Sequence, residues 1–119
     1  MIFEKGEQSP FPSLREMTMD SPVRSDILHD AVKLTCGDRN DAYGPPWNNL
    51  TDCAQLWEAY LNAKYGTVAA MQLTAEDVAW MNVLQKISRT FRAQRVDNYV
   101  DAAAYAAIAG ECRLIEDTQ

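Results

Sequence analysis

Apolar positions recur every three to four residues along most of the chain, and no useful stretch alternates with period two. That periodicity is the signature of helices with one buried face. Ile27, Leu28, Ala31, Leu34 and Thr35 predict a first helix over about Ser25 to Cys36. Ser25 suits its N-cap, Asp26 suits the positive end of its dipole, and Gly37 suits the position just past its end. Leu50, Cys53, Ala54, Trp57, Tyr60 and Leu61 predict a second helix starting within Trp47–Asn49 and running to about Lys64. Asn49 followed by Asp52 resembles a capping box, and Tyr65-Gly66 supplies a stop.

The third helix opens on Thr74-Ala75-Glu76-Asp77, a capping sequence with acid in the first turn. Trp80, Leu84, Ile87 and Phe91 follow at the spacing of an inner seam, while Asn82, Lys86 and Arg89 share another face. The fourth helix, about Asp97 to Glu116, is thin with alanine and predicts close approach from several sides. Asp97, Asp101, Tyr105, Ile108 and Cys112 share one of its faces. The expected fold is all-α: four main helices in a compact bundle over residues 23–119, preceded by an N-terminal arm over residues 1–22. Prolines in Ser9-Pro10-Phe11-Pro12 bar a helix there, but Ile2, Phe3, Phe11, Leu14 and Met17 suit packing on the domain or on a neighbouring subunit.

Composition narrows the function. The 119 residues suit one domain with a modest core. A net charge of −6 argues against duplex nucleic acid as a partner, although a cationic pocket can sit on an acidic protein. No apolar run is long enough for a bilayer, and the first twenty residues lack a signal-peptide core, so the expectation is a cytoplasmic protein without a membrane partner. The three cysteines form no CxxC pair, and His29 is the lone histidine, which argues against a zinc site.

Special residues concentrate in Gly37-Asp38-Arg39-Asn40-Asp41-Ala42-Tyr43-Gly44-Pro45-Pro46-Trp47-Asn48-Asn49. A plain interhelical connection needs few of them, so this loop is the candidate binding element. Arg39, Lys86 and Arg89 suit phosphate oxygens, by bidentate fork or by point charge. Tyr43 and Trp47 suit stacking on a base, with Trp47 equally suited to anchoring the core. Asp38, Asn49 and Tyr105 complete the candidate ligand-binding set. Asp97 and Asp101, four apart on one face, repel and require a partner. Either magnesium or the cationic face of the third helix can supply it. No Walker, dinucleotide-binding or nucleophile-elbow motif is present.

Leu34-Thr35-Cys36-Gly37-Asp38-Arg39, Asp41-Ala42-Tyr43-Gly44-Pro45, Leu56-Trp57, Asp77-Val78-Ala79, Lys86, Arg89 and Asp101-Ala102-Ala103-Ala104-Tyr105-Ala106-Ala107 resemble a family of small uncharacterised proteins of tailed phages and prophages. The resemblance covers roughly residues 26–114. It extends to phage nucleotide-modification-associated domains and, more distantly, to MazG-type nucleoside triphosphate pyrophosphohydrolases. It implies an all-α, often oligomeric, magnesium-dependent nucleotide handler, with Asp101 and Asp97 as catalytic and metal-binding residues.

The MazG acidic pairs are not reproduced. The second helix offers Asp52 and Glu58, six apart, and the late helix offers Asp97 and Asp101, four apart. Three functions follow as expectations. One is a nucleotide binder that hydrolyses a triphosphate to monophosphate and pyrophosphate. A second sequesters a signalling nucleotide of host antiphage defence. The third is an interaction protein that engages a host protein without a small ligand. A homo-oligomer is expected in each case.

Overall fold

The computed structural model describes residues 23–37, 44–66 and 71–119. The arm expected over residues 1–22 lies outside the described residues, and so do Asp38, Arg39 and Tyr43. Among the described residues there are four helices: α1 Val23–Cys36, α2 Pro46–Tyr65, α3 Ala75–Thr90 and α4 Val96–Thr118. Among the described residues there is no β-strand. The fold is the all-α bundle that the periodicity predicts.

Local chemistry sets the helix ends. Thr74 and Asp77 form a reciprocal capping box: the Asp77 amide donates to Thr74 Oγ1 at 3.1 Å, and the Thr74 amide donates to Asp77 Oδ2 at 2.9 Å. Gly66 ends α2 in the left-handed conformation at φ 55°, and its amide donates to the Asn62 carbonyl at 3.0 Å. A residue with a Cβ is strained at that φ. The Asn62 side chain then grips both backbone groups of Met71, as acceptor at 3.1 Å and donor at 3.3 Å, which fixes the return of the chain toward α3.

Two start signals are overturned. Ser25 lies inside helix α1, which already includes Val23, so it is not the cap. Helix α2 begins at Pro46, preceded by Pro45 in extended conformation, and no side chain caps it. Proline needs no amide partner in the first turn, so Pro46 starts the helix without the Asn49–Asp52 box.

Helices α3 and α4 form the central pair, α1 lies along α4, and α2 lies along α3 and touches α4. One core cluster joins Leu50 and Ala54 of α2, Ala75, Val78 and Ala79 of α3, and Tyr105, Ile108, Ala109 and Cys112 of α4. A second joins Ala31 of α1 to Val96, Val100 and Ala104 of α4. Val100, Ala104 and Ala109 are fully buried, so the thin α4 is contacted on several sides, as its composition predicts. Each buried valine contributes about 1.5–3 kcal/mol by leaving water.

The expected inner seam of α3 is not inner. Trp80, Leu84, Ile87 and Phe91 all face solvent, together with Leu28 of α1 and Tyr60 of α2, which the helical spacing had also assigned to buried stripes. Small residues take the interior of α3 instead, because they let α4 approach closely. Among the described residues the largest fully buried side chain is a lysine, Lys86.

Candidate functional site

Lys86 sits on the inward face of α3, on the side that carries Val78, Ala79 and Asn82. Asp101 sits on α4 between the two core clusters. The close α3–α4 packing brings the two together. Lys86 Nζ lies 3.0 Å from Asp101 Oδ2, with the side chains 1% and 3% exposed. The contact is an ion pair shut away from water. Asp101 Oδ1 has no hydrogen-bond partner among the described residues, and neither does Asp97 Oδ1, which Arg95 Nε approaches to 3.5 Å. Asn98 is buried one turn away, and the Asn82 amide donates to the Val78 carbonyl at 2.9 Å. The result is a polar seam set into an otherwise apolar helix interface.

Burial is the largest influence on the Asp101 carboxyl and pushes its pKa up from the ordinary value of 3.8. The Lys86 ammonium pulls it down less, and Asp97 adds a smaller upward push. Desolvation thus outweighs the ion pair, as it does for carboxylates taken fully out of water. Elsewhere, burial and then the nearby Glu116, Glu111 and Glu76 push the Cys112 thiol up to about 11.

The sequence-predicted site residues separate into groups. Lys86 and Asp101 meet, and Asp97 lies one turn before Asp101. Tyr105 is buried in the first core cluster, one turn beyond Asp101 on the same face. Trp47 packs against that cluster too, so it anchors the N-terminal end of α2 on the core. Asn49 is exposed on α2, and Arg89 is exposed on α3. The helices on either side of residues 38–43 are seated on the core: α1 on α4 through Ile27, Ala31 and Leu34, and α2 through Trp47 and Leu50.

No group of three or more His, Cys, Asp or Glu side chains converges among the described residues. Asp101 Oδ2 is already held by a cation, and a divalent ion against Lys86 Nζ would meet like-charge repulsion at low dielectric. In the structure Asp101 is the counter-ion of Lys86. Sequence reasoning missed Asn98, which lies among the small residues of α4 but carries no periodic signal of its own.

A small all-α protein with a buried lysine–aspartate pair between its two central helices is the class that fold and site define. The chain belongs to the family described as a domain of unknown function, DUF6378, whose model matches residues 26–113. It is 37% identical over 92 residues to the Gene 55 protein of Mycobacterium phage L5, covering 76% of this chain and 54% of that protein. It is 35% identical over 81 residues to the Gene 55 protein of Mycobacterium phage D29, covering 67% and 48%. The chain thus spans about half the length of the curated relatives it matches. No solved structure matches it.

Proposed function

We propose that the chain is a phage-encoded protein that binds a phosphorylated nucleotide and releases it unchanged. The observation that carries this reading is the Lys86–Asp101 pair. A buried ion pair adds little net stability and is often bettered by apolar side chains of the same volume. Desolvated charges beside a specific partner gather where a protein acts on charge. The residue types available select an anion: Arg89 lies on the same helix as Lys86, and the sequence supplies Arg39 between α1 and α2. In this reading Arg39 and Arg89 grip phosphate oxygens, Tyr43 stacks on the base, and Lys86 is held in place by Asp101. Binding is favoured over hydrolysis because Asp101 already serves an ammonium group. A distant kinship with MazG-type hydrolases fits, with their metal-binding acidic motif replaced by this pair.

One incubation tests the proposal. Purified protein is mixed with a broad nucleotide panel, cyclic and linear signalling nucleotides included, with and without magnesium. Free and bound fractions are separated, the protein is heat-denatured, and both are identified by mass spectrometry. The expected result is one nucleotide depleted from solution and returned intact, with retention lost in Arg39→Ala and Arg89→Ala. Monophosphate and pyrophosphate appearing only with magnesium would replace binding by hydrolysis. No depletion at all would sink the nucleotide reading.

A further inference from the structure

The outward face of α3 is self-complementary. Trp80, Leu84, Ile87 and Phe91 are 45%, 63%, 44% and 78% exposed and follow one another at spacings of four, three and four residues. That is the seam of a two-helix coiled coil. Phe91 caps α3 in right-handed helical conformation, so the seam is continuous to its end. The Trp80 indole N–H is already satisfied by Glu76 Oε2 at 3.2 Å, which leaves its ring as an apolar surface.

We propose that this face binds a second copy of the chain, with the two α3 helices antiparallel. A two-fold axis between residues 85 and 86 sets Leu84 against Ile87 and Trp80 against Phe91, so every seam residue meets an apolar partner. Charge supports the same orientation. The start of α3 is acidic, with Glu76 and Asp77, and the segment after its last turn is basic, with Arg92 and Arg95. Antiparallel pairing brings the acidic start of each helix to the basic end of the other, and parallel pairing sets like against like.

Size agrees as well. The exposed parts of the four side chains amount to roughly 450 Å² per copy, on the scale of 150–250 Å² for a whole aromatic side chain. A standard interface buries about 800 Å² per partner, somewhat over half of it apolar. The interior of a single chain, by contrast, is built mainly from alanine and valine.

Light scattering of the full chain at micromolar concentration tests the proposal. The expected mass is twice that of the chain, falling to the single-chain mass in Leu84→Glu, with an unchanged helical circular dichroism spectrum. A wild-type single-chain mass overturns it, whether the arm or another protein covers the seam, and so does a dimer that survives Leu84→Glu. Orientation is read by cross-linking in a Cys36→Ser background. Leu84→Cys and Ile87→Cys proteins, when mixed, are expected to link to each other faster than either links to itself. Faster self-linking would overturn the antiparallel arrangement. Neither readout depends on nucleotide, so this proposal and the binding proposal fail separately.

Discussion

The two faces of α3 reverse the usual allocation of side chains. The inward face carries Ala75, Val78, Ala79 and a lysine, and all four are buried. The outward face carries Trp80, Leu84, Ile87 and Phe91, and all four are exposed. Interior position here follows fit against α4 more than hydrophobicity. Alanines on both helices allow close approach, and the long lysine reaches a carboxylate rather than solvent. A helix that leaves its largest apolar groups outside while burying a charge is shaped by something besides the folding of its own chain.

The largest test of that contrast is to break the inner pair. Asp101→Leu leaves the Lys86 ammonium buried without a counter-ion and is expected to cost about 3–5 kcal/mol in urea denaturation. Lys86→Met with Asp101→Leu is expected to recover that loss, ending near the wild type or about 1–4 kcal/mol above it. The same double variant is expected to lose nucleotide retention. A double variant that retains nucleotide would make the pair purely structural.

A smaller test sets one face directly against the other. Ala79 is fully buried against α4, so Ala79→Leu overpacks the interface and is expected to cost about 1–3 kcal/mol. Leu84→Ala removes more apolar surface, yet it is expected to change the stability of the single chain by no more than about 0.5 kcal/mol, because Leu84 is already in water. Denaturation of both variants in the Ile87→Glu background, where pairing of copies is removed, gives the comparison. Equal losses would mean that the outer face is covered within the chain.

Much of this was legible in the sequence, and the failures have two causes. Periodicity located all four helices, and the Thr74–Asp77 box fixed the start of α3 because both halves of a capping box are written in adjacent residues. The closeness of Lys86 and Asp101 was foreseeable from a short junction between two helices and a carboxylate in need of a partner. The inner face of α3 was not. A helix with apolar residues on two sides offers two stripes, and spacing does not say which one meets the core. The alanines of α4 held the answer, since a thin helix calls for a thin partner face. Ser25 and Asn49 misled for a local reason: each is a sound cap residue, but Val23 and Pro46 already belong to their helices upstream.

The smallest predicted effect depends on pH and belongs to the inner face alone. Burial raises the Asp101 pKa above its ordinary 3.8, against the pull of Lys86. The folded chain therefore keeps a proton on this carboxyl at pH values where the unfolded chain has released it. Stability from such a group is fully present below the ordinary aspartate range, is lost as pH rises through the raised pKa, and is flat above it. The other titratable groups are common to the wild type and to a variant that lacks only this pair. Subtracting the curve of the Lys86→Met, Asp101→Leu variant from that of the wild type removes those shared contributions. The difference in unfolding free energy is expected to fall between acid and neutral pH. A difference that rises with pH would mean that the Lys86 attraction exceeds the desolvation of Asp101, and that the pair stabilises the α3–α4 interface in its charged form.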